Sequence, residues 1–369
     1  MHRYAMNLEK LYKKALRLEP LTVEEGLELY DSAPLSELMC VANVLRQVHV
    51  PGNDAGWMID RNINLTNICY SQCLFCNFCR TPQANDAYVL SFEEYRKKID
   101  ELLLLGGDQI LLQGGMNPNL GIDFYIDLFR YLKKTYPSLK LHALGPPEIV
   151  FLARKESLSY FDVLSKLIDA GLDSLPGAGA EILVNRVRKI VSPAKATSEE
   201  WLAVMRAAHE LNLPTSATMM YGHAETNEER IIHLVRLRDL QAEKPKDNYG
   251  FITFVPWPFQ DKGSKLSLRY GIKSDYSSLG YLRIIAISRI MLNNIKNIQA
   301  SLLTVGKDTG MLSLHAGAND LGSIMIEENV VSSAGGGTKF GAEEIQNIIR
   351  ESGFIPKRRN QKYEPFENS

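Results

Sequence analysis

The sequence predicts an α/β fold, a (βα)8-type barrel with a helical extension at its N-terminal end. Short apolar segments alternate with longer amphipathic segments along most of the chain, and such alternation is typical of a parallel sheet covered by helices. About eight strands can be counted, which is the number that closes this kind of barrel. An open, doubly wound sheet is the alternative, but no G-x-G-x-x-G follows the first strand.

The extension comprises residues 1–55, where leucines recur at near-helical spacing. Thr22 followed by Glu25 predicts a capping box at the start of one of its helices. We expect residues 56–369 to form a single barrel domain that includes C-terminal strands and a helix.

The predicted strands are short apolar segments that end in polar or glycine-rich stretches. They are residues 57–66, 109–112, 139–144, 172–175, 215–220, 251–256, 298–305 and 323–326. The predicted helices between them are residues 91–105, 122–135, 160–170, 181–190, 198–211, 227–242 and 279–293. Because the active site of such a barrel lies at the carboxyl ends of its strands, the residues that follow each strand are the functional candidates.

The composition excludes two classes of partner. The 369 residues include 42 basic and 43 acidic side chains, a net charge of −1, so we expect no affinity for nucleic acid or for an anionic membrane surface. No apolar run reaches the length of about 18 residues that a membrane span needs, and the first residues lack the apolar core of a signal peptide. Five cysteines, four of them clustered, suit a reducing compartment, so we expect a cytoplasmic protein.

Three cysteines after the first strand predict an iron–sulfur site. Cys69, Cys73 and Cys76 are spaced C-x3-C-x2-C, and because common clusters take four cysteines, this loop leaves one iron open to a ligand. A zinc site would need a second cysteine or histidine pair, and the sequence has none. Cys79 forms an alternative triplet or a fourth ligand; we expect it to be a free thiol near the site, and Cys40 to be an ordinary buried one.

The ends of the next strands carry candidates for cofactor binding. They are Gln113, Gly114, Gly115, Glu148 and Glu181. The paired glycines let backbone approach a ligand closely, although a simple turn is the alternative. The glycine-rich stretch 176–181 also raises the possibility of a phosphate site, but it lacks the Gly-Lys-Ser/Thr ending of a P-loop.

The later strand ends carry further candidates. Tyr221, His223 and Glu225 follow strand five, where structural roles are the alternative and Glu225 could instead cap the next helix. Trp257 lies between two prolines that stiffen an aromatic wall suited to a flat ring, with a packed loop anchor as the alternative. His142 lies near the end of strand three, and His315, Asn319 and Asp320 are further polar groups beside the last strand.

Together these stretches resemble one branch of the radical S-adenosylmethionine (SAM) superfamily, which contains futalosine cyclases, aminofutalosine synthases and the deazaflavin-forming FO synthases. The resemblance covers residues 50–360 and rests on residues 64–69, 75–78, 113–115, 177–181 and 318–320. Within the branch, residues 112–118, 173–177, 217–223 and above all 256–260 are most similar to the futalosine cyclases. Cys79 and Ala178 depart from the usual pattern.

This resemblance implies a radical SAM barrel with a [4Fe-4S] cluster held by Cys69, Cys73 and Cys76, and with SAM on the open iron beside Gly114 and Gly115. We expect a side chain at Gly115 to obstruct SAM while the barrel stays folded. The implied reaction is cyclisation of dehypoxanthine futalosine in menaquinone biosynthesis, with a flavodoxin- or ferredoxin-type electron donor.

The cyclisation ends with the loss of a ring proton, which requires a base. His223, Glu225 and Asp320 are the predicted catalytic residues, with His223 as the first choice for the base and His142 and Tyr221 as further candidates. The alternatives are an aminofutalosine synthase, an FO synthase component, or a non-catalytic iron–sulfur protein in which Cys79 is a fourth ligand.

Overall fold

The computed structural model describes residues 7–324, 326, 327, 329 and 340–366. Three helices form the predicted N-terminal extension: α1 Leu8–Leu16, α2 Val23–Ser32 and α3 Leu35–His49. The capping box at the start of α2 is confirmed, since the Glu25 N–H donates to Thr22 Oγ1 (3.2 Å) and the Thr22 N–H donates to Glu25 Oε2 (2.8 Å).

The rest of the chain alternates strands and helices. The strands are β1 Asp54–Met58, β2 Asp60–Asn64, β3 Gln109–Gln113, β4 Lys140–Ala143, β5 Thr215–Tyr221, β6 Phe251–Pro258, β7 Asn297–Ile298, β8 Asp320–Ser323 and β9 Ile355–Arg358. The helices are α4 Phe92–Leu104, α5 Ile122–Thr135, α6 Pro146–Glu156, α7 Tyr160–Ala170, α8 Asn185–Val191, α9 Ser198–Glu210, α10 Asn227–Glu243, α11 Lys265–Tyr270, α12 Ser278–Met291, α13 Leu302–His315 and α14 Ala342–Glu351. Helices α2 and α3 of the extension pack against α10 and α12.

The strands pair in parallel and close into a ring. Three sheets have the orders β2-β3-β4, β5-β6-β7 and β8-β1-β9. Isolated parallel bridges join them: His142 with Ser174, Leu175 with Thr215, and Gln299 with Asp320. Because β1 and β2 together act as one bent first strand, the ring has eight positions, and the predicted (βα)8 barrel is confirmed.

Three predicted elements differ from the structure. The strand predicted at 172–175 is reduced to the two bridges of Ser174 and Leu175. The strand predicted at 298–305 is wrong beyond Gln299, which still bridges Asp320. The apolar residues that follow begin helix α13, whose buried Leu302, Thr309 and Ser313 recur at helical spacing. The last strand ends at Ser323, and residue 325 of its predicted span lies outside the described residues.

Two helix predictions also needed correction. Helix α8 begins at Asn185 rather than at 181, because Glu181 has a φ of 45°, a left-handed conformation that an α-helix excludes. Helix α6 was not predicted, since its first residues, Pro146 and Pro147, resemble a loop. Proline fits the first helical turn, where its missing N–H has no partner to lose.

The C-terminal segment crosses the end of the barrel opposite the cysteine loop. Strand β9 pairs with the start of β1, and the residues after it reach interior side chains of the barrel. Tyr363 donates from its hydroxyl to Thr253 Oγ1 (2.8 Å), and Gln361 reaches Gln109 and His142. This segment therefore forms a floor beneath the barrel cavity. Among the described residues, no helix has both the length and the apolar character to cross a membrane.

Candidate active site

A cavity of about 380 Å³ lies inside the barrel, between the cysteine loop and the C-terminal floor. Its aromatic wall includes Phe75, Trp257 and Phe259. Strand β6 continues two residues beyond its predicted end, to Pro258. Strand β7 pairs only with Thr253 and Phe254, so the prolines at 256 and 258 lie where this neighbour needs no N–H donor. Trp257 is thereby presented to the cavity, as expected for an aromatic wall.

Backbone hydrogen bonds fix the cysteine loop at its base and at its tip. At the base, the N–H of Cys69 donates to Arg80 O (3.1 Å). At the tip, the Leu74 N–H donates to Val191 O (2.9 Å) and the Leu266 N–H donates to Leu74 O (2.8 Å). The loop that carries three thiols is therefore held by three separate parts of the barrel rim.

The thiols differ in environment. A hydrogen bond with the Cys79 thiol is the main cause that lowers the pKa of Cys69 to about 6, and the backbone N–H groups of Met116 and Ser71 add to it. Burial raises the pKa of Cys73 to about 11 and raises that of Cys76. The hydrogen bond to Cys69 raises the pKa of Cys79, and the role of Cys79 as a neighbouring thiol rather than a ligand stays a prediction.

A cluster and a single metal ion need different arrangements of ligands. In the described part of the chain, no three His, Cys, Asp or Glu side chains converge on a point that could hold one metal ion. A cubane takes one thiolate at each of three irons, so its ligands surround it instead of meeting at one atom.

A partly buried cation that the sequence did not reveal lies beside the thiols. Lys195 Nζ is 2.9 Å from Glu181 Oε1 and 5.5 Å from the ring centroid of Phe75. Its charge acts to lower the pKa of Cys69, Cys73 and Cys76. Burial raises the pKa of Glu181, but Lys195 outweighs burial and leaves it below the ordinary value. A positive charge at this position complements a set of thiolates.

The paired glycines hold two backbone segments together. The Gly115 N–H donates to Thr66 O (2.8 Å), and a Cβ on Gly115 would lie 2.1 Å from the carbonyl oxygen of Ile68. The expectation that a side chain at Gly115 leaves the fold intact is therefore wrong, because it would displace the backbone that leads into the cysteine loop. Gly114 has a similar constraint, since its Cβ would lie 2.8 Å from Leu65 Cγ.

Three predicted cofactor-binding side chains lie near this turn. Gln113 and Glu181 line the cavity. Glu148 is buried, and burial is the main cause that raises its pKa to about 7, against a hydrogen bond from the Gly114 backbone. The structure thus brings Gln113, Glu148 and Glu181 to the cysteine-loop side of the cavity.

His223 and Glu225, two of the predicted catalytic residues, lie behind the cavity wall. Neither side chain is exposed, and neither lines the cavity. His223 Nε2 is 3.0 Å from Met220 O, so this nitrogen carries a proton and donates it. Glu225 accepts from the Gly222 and His223 N–H groups and pairs with Arg230 (2.8 Å).

Glu225 does not cap the following helix, because Thr226 occupies that position. Burial opposes ionisation of Glu225, but hydrogen bonding and charge from His223, followed by the charge of Arg230, bring its pKa well below the ordinary range.

Asp320, the third predicted catalytic residue, is fully buried beneath the cavity. The Arg359 guanidinium donates to both of its oxygens (2.5 and 2.7 Å), and the Gly322 N–H donates to Oδ1 (2.7 Å). A Cβ on Gly56 would lie 2.1 Å from Oδ2, so the first strand packs closely on the carboxylate. These contacts join β1, β8 and the C-terminal segment.

The cavity floor is polar and contains hydrogen-bond acceptors without partners. Asp60 and Asn62 line the cavity, and within the described residues neither Asp60 Oδ1 nor Asn62 Oδ1 has a hydrogen-bond partner. Burial raises the pKa of Asp60, which favours its neutral form. Unpaired buried oxygens are costly, so these atoms indicate a polar ligand that forms hydrogen bonds with them.

His142 joins this floor to the C-terminal segment. Gln109 Nε2 donates to Gln361 Oε1 (3.1 Å), and the Gln361 amide nitrogen is 3.3 Å from His142 Nε2. His142 Nδ1 is 2.7 Å from Ser174 Oγ. Because the Gln361 amide donates to His142 Nε2, this nitrogen carries no proton. Burial lowers the pKa of His142 to about 3, so the ring is neutral.

Three other residues that the sequence analysis considered lie away from the cavity. Cys40 is exposed on α3, so its predicted burial is wrong. Tyr221 is buried against Tyr281 and Arg230. His315 ends α13, where Nε2 lies 3.0 Å from Ser352 O, and it therefore has a structural contact rather than a site contact.

Sequence reasoning missed several residues that line the cavity: Asp60, Asn62, Lys195 and Gln361. Asp60 and Asn62 alternate with outward-facing residues on the first strand, and this period of two could have shown that polar groups face the barrel interior. Lys195 and Gln361 lie outside the strands, and no local pattern marks them.

Two family models match the chain. The radical SAM superfamily matches residues 63–237, and the CofH/MqnC C-terminal region matches residues 248–369. A parallel barrel with a three-thiol loop above an enclosed cavity is consistent with both. The chain belongs to the radical SAM superfamily and, within it, to the family that carries the CofH/MqnC C-terminal region. Enzymes of this superfamily use a [4Fe-4S] cluster and SAM.

The relatives cover nearly the whole chain. A cyclic dehypoxanthine futalosine synthase from Halalkalibacterium halodurans is 41% identical over 97% of this chain and 95% of its own length. The protein of the same name from Streptomyces coelicolor is 40% identical, over 97% and 88%. A 5-amino-6-(D-ribitylamino)uracil–L-tyrosine 4-hydroxyphenyl transferase from Methanosarcina barkeri is 38% identical, over 93% and 90%.

Solved structures support the fold. HydG, a maturase of the [FeFe]-hydrogenase, has a TM-score of 0.74 at 17% identity and covers 96% of this chain and 77% of its own. Methylornithine synthase (PylB) has a TM-score of 0.68 at 20% identity and covers 95% of this chain and 98% of its own. At these identities the likeness concerns the barrel alone.

Proposed function

We propose that the chain converts dehypoxanthine futalosine to cyclic dehypoxanthine futalosine, as a step of menaquinone biosynthesis. The observation that carries the proposal is the 41% identity to a cyclic dehypoxanthine futalosine synthase across nearly the full length of both chains. In the reaction, the C4′ hydrogen of the ribose is removed, the carbon radical adds to the benzoate ring, and the ring loses one electron and one proton.

Cys69, Cys73 and Cys76 would hold the cluster, and the rim formed by Gln113, Glu148 and Glu181 would meet SAM. The bound cluster and SAM supply an organic radical that removes a hydrogen atom. Lys195 would balance the negative charge of the thiolates. We also place the enzyme in a reducing cytosol, since its five cysteines are free.

The polar floor suits the sugar part of the substrate. Asn62 Oδ1 needs a hydrogen-bond donor, and Asp60 Oδ1 also has no partner among the described residues. Ribose hydroxyls both donate and accept, so they suit Asn62 and either form of Asp60, whereas the ionised benzoate carboxylate accepts only. A ribose on the floor leaves the benzoate ring beside the aromatic wall that includes Trp257. This orientation keeps the ribose and the ring in one enclosed space, as the cyclisation requires.

His142 is the candidate base that faces the substrate. Of the five side chains considered from the sequence, His142 lines the cavity, whereas His223, Glu225, Asp320 and Tyr221 do not. Burial lowers its pKa to about 3, so the imidazole is neutral, and its Nε2 lone pair, which the Gln361 amide engages at 3.3 Å, becomes a proton acceptor where the substrate displaces that amide. His142→Gln should therefore still allow 5′-deoxyadenosine to form while the cyclic product falls at least tenfold. A parallel decline of both products would instead indicate a binding role.

A transferase is the second candidate, because the 38% identity to the Methanosarcina barkeri enzyme is close to that of the cyclic futalosine synthases. The two functions differ in substrate. A 4-hydroxyphenyl transfer needs tyrosine and a ribitylaminouracil, whereas cyclisation needs one molecule that contains both reacting parts.

A competition experiment separates the two. The anaerobically reconstituted enzyme is given SAM, a reductant, dehypoxanthine futalosine, tyrosine and 5-amino-6-(D-ribitylamino)uracil in one vessel, and products are resolved by mass spectrometry. We expect the cyclic product, with the same mass as the substrate less two hydrogens. Consumption of tyrosine with the futalosine unchanged would assign the transferase function instead.

A further inference from the structure

One segment of the barrel surface contacts the tip of the cysteine loop. The stretch 262–273, here called the rim segment, contains helix α11 and follows strand β6. Its Leu266 N–H donates to Leu74 O (2.8 Å), and Asn77 Nδ2 donates to Lys262 O (3.0 Å). Leu74 and Asn77 each adjoin a predicted cluster ligand, so the rim segment is a direct neighbour of the redox site.

The rim segment carries only positive charge. Its charged side chains are Lys262, Lys265, Arg269 and Lys273, and residues 262–274 contain no Asp or Glu. Lys189 on α8 adds a cation from the other side of the loop tip, since Val191, two residues further on, accepts the Leu74 N–H. Among the described residues, none of these five cations forms an ion pair.

The flanking carboxylates offset only part of this charge, since residues 262–273 carry four cations against Asp261 and Asp275. Asp275 is paired with Arg230 (2.6 Å), and Asp261 accepts a hydrogen bond from the backbone N–H of Ser274 (3.3 Å). The segment is therefore a concentrated positive field on a chain whose overall net charge is −1.

Exposed apolar side chains lie within the same segment. Leu268 is 75% exposed and Tyr270 is 61% exposed. Aromatic and aliphatic side chains surrounded by charge are typical of protein interfaces, where the charges steer the encounter and the apolar groups provide contact.

We propose that the rim segment is the docking surface for an acidic one-electron carrier protein of the flavodoxin type. The proposal rests on the proposed function only in that the cluster must receive an electron from outside the chain. An acidic carrier matches the unpaired cations, and docking here places it against the loop that bears the cluster ligands. The interface expected for such an encounter is small, as in transient complexes of electron-transfer proteins.

The test measures reduction of the cluster in the reconstituted holoenzyme without any futalosine, so its result does not depend on the substrate assignment. The variant is Lys265→Glu/Arg269→Glu. The matched control is Lys166→Glu/Lys246→Glu, which makes the same charge change at two exposed lysines outside the rim segment. Each protein is reduced anaerobically by reduced flavodoxin or by photoreduced deazaflavin, a small uncharged donor, and the cluster absorbance is followed by stopped flow.

With flavodoxin at low salt, the rim variant should be reduced at least about tenfold more slowly than the wild type, and the wild-type rate should fall as salt is added. The control variant should keep most of its rate, and deazaflavin should reduce all three proteins equally. An unchanged flavodoxin rate in the rim variant would overturn the proposal. So would an equal loss of rate with deazaflavin, which would mean that the segment only shapes the cluster site, or failure of flavodoxin to reduce the wild type.

Discussion

Replacing Asp320 by Asn should destabilise the barrel rather than remove a catalytic base. Asp320 is fully buried, and its two oxygens receive the Arg359 guanidinium at 2.5 and 2.7 Å. Asp320→Asn would leave Arg359 as a buried charge without its counter-charge, which costs about 3–5 kcal/mol. For 369 residues, the usual unfolding entropy converts this to a fall of about 4–6 °C in the unfolding midpoint.

The assay is thermal unfolding followed by circular dichroism on the wild type, Asp320→Asn, Arg359→Met and the double variant. If the pair is structural, the double variant should lose less stability than the two single losses combined, since it contains neither buried charge alone. The Asp320→Asn protein should keep its ratio of cyclic product to 5′-deoxyadenosine at a temperature where it remains folded.

Unchanged stability together with lost cyclisation would contradict a structural role for Asp320. An Asp320→Asn protein of wild-type stability that makes 5′-deoxyadenosine but little cyclic product would show that Asp320 acts on the substrate. Its position beneath the cavity, in contact with Gly56, Gly322 and Arg359, would then have to change during the reaction.

Three further predictions concern the cofactor side of the cavity. Cys79→Ala should keep its full iron content, because three thiolates suffice; loss of the cluster would make the ligand set wrong. Gly115→Ala should load much less iron and unfold earlier, because its Cβ would meet Ile68 O at 2.1 Å; normal loading would contradict this. The pKa of Glu148 is about 7, so below pH 7 the carboxyl is mostly protonated and is a poorer hydrogen-bond acceptor for the amino group of SAM. SAM affinity, measured by equilibrium binding, should therefore rise up to about tenfold from pH 6 to pH 8, and the same rise in Glu148→Gln would exclude this carboxyl as the cause.

The sequence predicted those parts of the fold that depend on local patterns. Strand–helix alternation predicted the barrel, and the capping box at Thr22 marked a helix start that the structure confirms. Errors arose where a local pattern fitted two structures. The apolar run after Ile298 suited a strand as well as a helix, and its burial against the barrel decides for the helix α13.

Only the parts of the candidate site that depend on local sequence could be predicted. The cysteine spacing is local, so the thiol loop could be found, and Trp257 was correctly expected at the cavity. The direction of a side chain at a strand end depends on packing around it: His223 follows β5 closely but points to its own backbone, whereas His142 points into the cavity. Gln361 reaches the floor from 219 residues beyond His142, and no local signal encodes such a contact.

The most direct test of the central claim uses dehypoxanthine futalosine carrying deuterium at C4′ of the ribose. The reconstituted enzyme, SAM and a reductant are incubated anaerobically, and the 5′-deoxyadenosine and the cyclised product are analysed by mass spectrometry. The account predicts one deuterium in the 5′-deoxyadenosine and none at C4′ of a cyclic product formed in equal amount. Unlabelled 5′-deoxyadenosine, with deuterium retained in the recovered substrate, would contradict it.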